Sequence, residues 1–236
     1  MISIIFPCYN EIENIQKYNK EIKQFVITNK NFEIIFVDNG SNDNLYDYIT
    51  REFVNFSNIS CIKILKNKGY GDGIFQGIKK SKYNVVAWMH ADFQVNLEDL
   101  KKGCNIYLKN RSKFKDKIFV KACRKNRNYS DVFFTLCMSI ISSILFLNFV
   151  NDSNATPNII DKKLFNFSNK IPSDFSFDLF CHLLSIKYKY KILRYNVDYK
   201  ERQYGFSKWN FNIRSKFYLS LKILLFIIKI RIWGIK

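Results

Sequence analysis

The segment Ile2-Ser3-Ile4-Ile5-Phe6-Pro7-Cys8-Tyr9-Asn10-Glu11 joins an apolar run of strand type to a proline that ends it and to polar residues that follow. Similar runs return at residues 32–43, 61–73 and 84–94, and segments with helical spacing separate them. Near-continuous apolar strands that alternate with helices are typical of a parallel sheet covered on both faces. The chain is therefore predicted to have an α/β fold.

The predicted strands indicate where a ligand would bind. In sheets of this kind, ligands bind at the carboxyl ends of the strands. The polar loops after the first four strands should therefore meet at one edge. We predict strands at residues 2–6, 32–38, 61–65, 84–89 and near 118–122. A helix with Ile12, Ile15, Ile22 and Phe25 on one side is predicted after the first strand. A second helix is predicted over about residues 44–56, and a third ends at about residue 81.

The loop after the third strand is rich in glycine, with Gly69, Gly71, Gly73 and Gly77 among only eight in the chain. Such a loop lets the backbone approach a ligand closely, and the following helix N-terminus attracts phosphate. The spacing is not Gly-x-Gly-x-x-Gly after the first strand, and no Lys-Ser/Thr pair follows. A dinucleotide-binding fold and a P-loop are therefore disfavoured.

The loop after the fourth strand carries His90, Asp92 and Gln94 at alternate positions. If this segment is extended, the three side chains lie on one side and suit a divalent cation that bridges two phosphates. Oxygen ligands fit Mg²⁺ or Mn²⁺, and a histidine shifts the choice toward Mn²⁺. The alternative is a polar strand end at which Asp92 accepts hydrogen bonds from loop amides.

The net charge of +18 is concentrated in two patches. Residues 109–127 and residues 200–236 each hold nine Lys or Arg and one acid, while the other 180 residues sum to +2. Clustered positive charge indicates an anionic partner, such as nucleic acid, a phosphorylated substrate or an acidic membrane surface. No zinc-finger, helix-turn-helix or RNA-stacking motif accompanies the charge, so nucleic acid is not the predicted partner.

Two apolar stretches occupy the second half of the chain. Residues 132–150 are 19 residues without a charge, which is at the lower limit for a bilayer span. Serines and a threonine dilute this stretch, so a buried or amphipathic helix is favoured over a span. Residues 214–233 are interrupted by lysine and arginine, as in a helix that lies on an anionic surface. The alternative is a terminal helix packed on the domain.

The six cysteines form no Cys-x-x-Cys pair, and only two histidines accompany them. A structural zinc site is therefore not expected. Reduced thiols in a cytosolic compartment are the favoured interpretation. A strand-like run directly after Met1 argues against a signal peptide.

Six stretches in this order resemble glycosyltransferase family 2, and within it the polyprenol-phosphate glycosyltransferases similar to dolichol-phosphate mannose synthase. The resemblance covers roughly residues 1–210. The matching stretches are Ile4-Ile5-Phe6-Pro7-Cys8-Tyr9-Asn10-Glu11, Phe36-Val37-Asp38-Asn39-Gly40-Ser41, Asn67-x-Gly69-x-Gly71-x-Gly73, Ala91-Asp92-Phe93-Gln94, Arg124, and Arg202-x-x-Gly205-x-Ser207-Lys208.

The resemblance implies a GT-A type domain over residues 1–210, a nucleotide-diphosphate sugar donor, Mg²⁺ or Mn²⁺, and inverting transfer. Residues 211–236 would form a basic amphipathic helix at the membrane interface. The implied metal ligands are Asp92 and Gln94, with His90 beside them. The implied donor and acceptor contacts are Pro7, Tyr9, Glu11, Asp38, Asn39, Gly71, Ala91, Arg124, Arg202, Ser207 and Lys208.

This chain departs from the family pattern at two positions. Asn39 stands where the family often has a second aspartate, and His90 stands where the family often has the first aspartate of Asp-x-Asp. An arginine that often precedes the long apolar helix has no clear counterpart, and Arg127 is the nearest candidate. A homologue that binds a sugar nucleotide but no longer turns over therefore remains an alternative.

The acceptor is either a polyprenyl phosphate or a hydroxyl of a glycan or lipopolysaccharide. A lipid phosphate is already anionic and needs no general base, whereas a hydroxyl needs one. Asp174 and Asp178 are the candidate bases, and Asp178 is equally suited to brace its helix. The two basic patches favour the lipid phosphate and an enzyme in the cytoplasm, peripheral on the inner face of the plasma membrane.

Overall fold

The computed structural model describes residues 1–126, 129–202 and 213–233. Seven strands form one sheet in the order β3-β2-β1-β4-β6-β5-β7. The strands are β1 (Ile2–Cys8), β2 (Phe32–Asn39), β3 (Ile59–Ile64), β4 (Val85–Trp88), β5 (Ile118–Lys125), β6 (Asn158–Asp161) and β7 (Lys191–Asp198). The helices are α1 (Ile12–Thr28), α2 (Leu45–Glu52), α3 (Tyr70–Lys80), α4 (Leu97–Asn110), α5 (Tyr129–Phe146), α6 (Phe177–Lys187) and α7 (Ile213–Trp233), with a short 3-10 helix at Lys162–Phe167.

The sheet is mostly parallel, as the sequence predicts. β1 pairs in parallel with β2 and β4, and β2 pairs in parallel with β3. β6 is antiparallel to both β4 and β5. Because β6 runs opposite to both of its neighbours, β4 and β5 run in the same direction. Neither β6 nor β7 is predicted by the apolar pattern.

Two apolar cores lie on the two faces of the sheet, because successive strand residues point to opposite sides. Ile4 and Phe6 of β1 belong to the core under α1, α2 and α4, while Ile5 faces the core under α3 and α6. β2 alternates in the same way, with Ile34 in the first core and Ile35 in the second. Strands buried on both faces explain why the first half of the chain reads as continuous apolar runs.

Local capping fixes the helix that follows the fourth loop. The Asn96 side chain accepts a hydrogen bond of 2.7 Å from the Asp99 amide and so satisfies one of the unpaired N–H groups at the start of α4. Glu98 and Asp99 also place acids in the first turn, where the helix dipole favours them. This cap directs the chain away from the sheet edge directly after Gln94.

The two apolar stretches of the second half are α5 and α7, and these helices lie against each other. In the described part of the chain, no helix combines the length and the apolar character that crossing a bilayer requires. The proposed boundary between residues 210 and 211 lies outside the described residues and stays a prediction.

Candidate active site at the carboxyl edge of the sheet

The loops after β1 and β2 are tied together at the carboxyl edge. Cys8 and Asp38 are register partners at the ends of these strands. Asp38 is buried and accepts a hydrogen bond of 2.9 Å from the Ser41 amide, while Ser41 Oγ accepts one of 3.0 Å from the Asn10 amide. The predicted convergence of these two loops is therefore seen in the structure. Pro7 and Tyr9, both half-buried, belong to the same edge.

Asn39 connects β2 to the glycine loop. Its Nδ2 donates a hydrogen bond of 2.8 Å to the Gly69 carbonyl, and its Oδ1 is buried without a hydrogen bond to any described residue. An aspartate at this position would set a carboxylate against that carbonyl. The amide therefore makes a local contact that an aspartate carboxylate could not make.

The glycine loop packs against protein and does not form an open cradle. Gly69 has φ +121°, and a Cβ there would lie 2.4 Å from the Ser173 carbonyl oxygen. A Cβ on the buried Gly71 would lie 2.4 Å from the Pro172 carbonyl oxygen. The Asp72 amide also donates to the Ser173 carbonyl at 2.9 Å. Close approach of two backbones therefore explains these glycines, in place of the predicted approach to a ligand.

The fourth loop is not extended over residues 90–94. β4 ends at Trp88, and Phe93 has a positive φ of 52°. His90 stacks on the Tyr70 ring with 4.9 Å between the ring centroids, and Tyr70 stacks in turn on Phe175 at 5.0 Å. The positive φ of Phe93 interrupts the segment between Asp92 and Gln94, so His90, Asp92 and Gln94 do not alternate along one extended strand. Ala91 between them is buried.

Asp92 and Glu11 converge on one arginine. Arg202 forms an ion pair with Glu11, and its Nη1 lies 3.9 Å from Asp92 Oδ2. The Asp92 and Glu11 side chains are only 10% and 13% exposed. Burial raises the pKa of Glu11, and the nearby Arg202 opposes that rise. Three predicted site residues, from the segments that follow β1, β4 and β7, thus lie together.

Gln94 is held by the segment after β7. Its Oε1 accepts a hydrogen bond of 2.7 Å from the Tyr199 hydroxyl, and its Nε2 donates one of 2.9 Å to the Lys200 carbonyl. The Lys200 amide also donates to the Gln94 carbonyl at 2.9 Å. The side chain thus positions the segment that carries Arg202, a role that the sequence analysis does not predict.

Arg124 is paired with a buried aspartate. Its Nε lies 3.1 Å from Asp152 Oδ1, and its backbone amide donates to Asp152 Oδ2 at 3.1 Å. The Tyr199 ring lies 5.4 Å from the guanidinium. Burial alone would lower the pKa of Arg124, but Asp152 holds it above its ordinary value. The guanidinium remains charged at the edge of the sheet, with part of its donor set already in use.

Asp178 belongs to a buried polar network. Its Oδ1 accepts hydrogen bonds from Trp88 Nε1 at 2.8 Å and from Asn158 Nδ2 at 3.0 Å. Asn158 Oδ1 accepts a hydrogen bond of 2.9 Å from the fully buried Lys121 ammonium, which also donates to the Ala155 carbonyl. Burial raises the pKa of Asp178, and Lys121 opposes that rise. The contacts match the bracing interpretation of Asp178.

Asp174, the other candidate base, is exposed, and its carboxylate is bonded to a residue only two positions away. Its carboxylate accepts hydrogen bonds from the Ser176 amide at 3.0 Å and from the Ser176 hydroxyl. These bonds close the turn that leads into α6.

The donor set at this edge fits a divalent cation that is held mainly by its substrate. Mg²⁺ usually takes one or two protein carboxylates together with substrate phosphates. Asp92 supplies one such carboxylate, while the Gln94 amide is committed to Tyr199 and Lys200. Among the residues with described positions, no cluster of three or more His, Cys, Asp or Glu side chains could hold a metal without a substrate.

Several contributing residues are not found from the sequence. Tyr199 links Gln94 to Arg124, and nothing in its surroundings marks it. Asp152 is a lone acid after a long apolar stretch, and that isolation is a usable signal. Lys121 lies inside an apolar strand, where a charge is unusual. Ser207, Lys208 and Arg127 lie outside the described residues, so their predicted roles stay predictions.

All six cysteines are within the described residues, and their thiols are free. Burial raises the pKa of Cys61 to about 12 and that of Cys8 well above its ordinary value. The thiols near the site are therefore poor nucleophiles.

A family model and several known proteins match this chain. The model of the family described as Glycosyl transferase family 2 matches residues 3–160. CsbB of Bacillus subtilis, which is named as a glycosyltransferase, is 27% identical over 224 residues, covering 90% of this chain and 63% of that protein. The dolichol-phosphate mannosyltransferase of Pyrococcus furiosus is 30% identical over 93 residues, covering 39% of this chain and 26% of that protein. The chain thus spans less than two thirds of the length of these relatives.

Solved structures share the fold at low identity. Mannosyl-3-phosphoglycerate synthase from Rubrobacter xylanophilus has a TM-score of 0.73 and 16% identity, with 100% of this chain and 76% of that chain covered. Glucosyl-3-phosphoglycerate synthase from Mycobacterium tuberculosis, solved with Mn²⁺, UDP and phosphoglyceric acid, has a TM-score of 0.72 and 13% identity, with 98% and 78% covered. The sheet, the convergence of Glu11, Asp92 and Arg202 at its carboxyl edge, and a family match over most of the chain lead to one assignment: this chain belongs to glycosyl transferase family 2.

Proposed function

We propose that this chain transfers a sugar from a nucleotide-diphosphate sugar to a polyprenyl phosphate, with inversion at the anomeric carbon, at an anionic membrane surface. A phosphate oxygen of the acceptor attacks the anomeric carbon, the bond from that carbon to the diphosphate oxygen breaks, and the nucleoside diphosphate leaves. Relatives named as dolichol-phosphate mannosyltransferase and as undecaprenyl-phosphate 4-deoxy-4-formamido-L-arabinose transferase support this acceptor class.

The observation that carries the choice of acceptor is the state of the candidate bases. The Asp178 carboxylate is buried between Trp88 and Asn158, and Asp174 is bonded to Ser176. A hydroxyl acceptor needs a base that reaches it, whereas a lipid phosphate brings its own negative charge. A site whose candidate bases are already engaged therefore suits the phosphate acceptor better.

The residues at the carboxyl edge suit a departing diphosphate. Asp92 would hold Mg²⁺ or Mn²⁺, and the cation would offset the negative charge that grows on the leaving group. Arg202 and Arg124 lie at the same edge, each paired with a carboxylate, and their remaining N–H groups would donate to the oxygens of the departing diphosphate. Asp38 and the loop that holds it are proposed to frame the nucleotide.

A donor screen tests this function. Protein, a short-chain polyprenyl phosphate and Mg²⁺ or Mn²⁺ are mixed with UDP-, GDP- and dTDP-sugars, and the release of nucleoside diphosphate and the lipid product are measured. We expect release that needs the lipid phosphate and falls by about 100-fold or more in Asp92→Ala. Asp47→Ala, which removes an exposed acid from α2, is the matched control and should retain activity.

Two other outcomes would contradict the proposal. Release only when a glycan replaces the lipid, together with loss of that activity but not of donor binding in Asp178→Asn, would identify a hydroxyl acceptor. Donor binding without release for any acceptor would identify a homologue that no longer turns over.

A further inference from the structure

The exposed side of α5 is apolar. Phe133, Leu136, Ile140 and Ile144 follow one another at intervals of three, four and four residues, so they form one stripe along the helix. Each of these side chains is between 50% and 66% exposed. An apolar stripe at this spacing normally faces the core of a protein, and here it faces outward.

The protein-facing side of α5 is partly polar. Ser139 and Ser142 are buried, and Ser139 Oγ donates a hydrogen bond of 2.8 Å to the Thr135 carbonyl. The Asp152 amide donates to Ser139 Oγ at 3.3 Å, which ties this face to the rest of the domain. α5 therefore presents its more apolar side to the surroundings, which is unfavourable in water and favourable against an apolar phase.

α7 extends the same kind of surface. Phe217, Leu221, Leu225 and Ile228 are spaced by four, four and three residues, and each is between 41% and 64% exposed. Ile223 and Ile230, seven residues apart, are buried in the domain on another side of the helix. Since α7 lies against α5, the two stripes belong to neighbouring helices.

Positive charge accompanies the α7 stripe. Lys222 and Lys229 are exposed and seven residues apart, so they share one side of the helix next to the apolar stripe. The chain carries its second basic patch over residues 200–236. The apolar stripe suits the acyl region of a membrane, and the lysines beside it suit the anionic headgroups above that region. A second copy of this basic chain would bring like charges together.

The surface also adjoins the candidate site. α5 begins shortly after β5, and β5 ends at the same edge of the sheet as β4 and Asp92. We infer that α5 and α7 together form a membrane-docking surface that places Phe133, Ile140, Leu221 and Leu225 at the boundary between headgroups and acyl chains of an anionic leaflet. That this docking serves lipid-phosphate delivery rests on the proposed function, whereas the docking itself is tested without any substrate.

The test is co-sedimentation of the protein with vesicles that contain no acceptor. We expect binding to vesicles of phosphatidylcholine with phosphatidylglycerol and weaker binding to phosphatidylcholine alone. Raising the ionic strength from about 0.1 M to about 1 M shortens the Debye length from about 10 Å to about 3 Å, and should remove this preference for anionic lipid. The apolar contribution should remain.

Paired variants separate the two contributions. Ile140→Ser with Ile144→Ser should weaken binding to both kinds of vesicle by about tenfold or more, because two large side chains no longer leave water. Lys222→Gln with Lys229→Gln should weaken binding to the anionic vesicles alone, by about 25-fold at low salt. The matched controls are Ile27→Ser with Val54→Ser and Lys20→Gln with Lys30→Gln, which make the same changes at exposed positions elsewhere.

Each result decides the inference. Vesicle binding that the stripe variants lose and the control variants keep supports it. Equal losses in stripe and control variants overturn it, as does a wild-type protein that binds no vesicle and forms a dimer that the stripe variants disrupt. Transfer to a short, water-soluble acceptor should be unchanged in the stripe variants, so a failure of docking is distinguishable from a failure of the proposed reaction.

Discussion

The region of β1 to β4 and the region of β5, α5, β6 and α6 differ in how well the sequence pattern predicts which residues are buried. In the first region, Ile4 and Ile34 are buried and the exposed residues between the strands are mostly polar. In the second region, Lys121 and Asp178 are buried while Ile140 is half exposed. The buried charges of the second region are thus accompanied by pairing among polar groups. Hydropathy alone is a weaker guide there than in the first region, which itself buries Glu33 and exposes Leu65.

The largest loss of stability is expected from a substitution that removes a buried charge in the second region. Lys121→Met removes the buried ammonium that faces Asp178 through Asn158, and it leaves a buried carboxylate without its counter-charge. The free energy of unfolding should fall by about 3–5 kcal/mol. Urea denaturation followed by circular dichroism measures this change.

The double variant Lys121→Met with Asp178→Asn sharpens the result. Removing both charges should restore a large part of the lost stability, since the buried carboxylate no longer lacks a partner. A double variant that is no more stable than Lys121→Met would show that packing around Lys121, and not its charge, holds this region together.

The same lysine predicts a pH dependence. Burial lowers the pKa of Lys121 to about 8, below its ordinary value of 10.5. The unfolded chain therefore binds this proton more tightly, so the contribution of Lys121 to stability rises as the pH rises from 8 toward 10.5. Between about pH 7.5 and pH 9.5, the stability difference between wild type and Lys121→Met should grow by about 2 kcal/mol.

Denaturation of both proteins across this range measures the difference and cancels the titration of the cysteines, which both proteins share. A difference that stays constant with pH would mean that Lys121 keeps its ordinary pKa in the folded protein.

The fold is largely predictable from the sequence, because burial on both faces of a sheet leaves a direct record in the apolar runs. β1, β2 and β4 are found within two residues of their observed ends. β6 and β7 are missed, since β6 has only four residues and carries Asn158 and Asp161, and since β7 has Lys, Arg and Asn among its eight residues. Strands whose polar side chains find partners in the tertiary structure do not show the apolar pattern.

The site is predictable only in its location. The sequence identifies the loops that meet at the carboxyl edge, and Glu11, Asp92 and Arg202 do lie together. It does not reveal which groups each side chain contacts, because those contacts join residues far apart in the chain, such as Gln94 with Tyr199. Gly69 and Gly71 of the third loop show the same limit, since their partner is the backbone near Pro172.

A smaller effect tests the first region, where Asn39 replaces an aspartate that the family often has. Asn39→Asp removes the donor to the Gly69 carbonyl and buries an acid against that oxygen, so the unfolding free energy should fall by about 1–2 kcal/mol. Asn42→Asp, at an exposed neighbouring position, is the matched control and should change stability by less than about 0.5 kcal/mol. Equal losses in the two variants would remove the structural reason for the amide.

The smallest effect on stability is expected at Ile140, an apolar residue of the second region that is half exposed. Ile140→Ser exchanges an apolar residue for a polar one in the middle of α5, and serine and isoleucine have similar helix propensities. Because Ile140 is half exposed, thermal unfolding in vesicle-free buffer should show a change within about 0.5 kcal/mol.

Ile74→Ser makes the same exchange at a fully buried position in α3 and should cost several times more. The contrast matters because it separates two reasons for an apolar residue in a helix. If Ile140→Ser lowers the free energy of unfolding as much as Ile74→Ser does, the stripe on α5 packs against protein, and Ile140 is no exception to the burial of apolar residues. If it costs nothing while vesicle binding falls, isoleucine at this position contributes to a contact outside the domain and not to its folding.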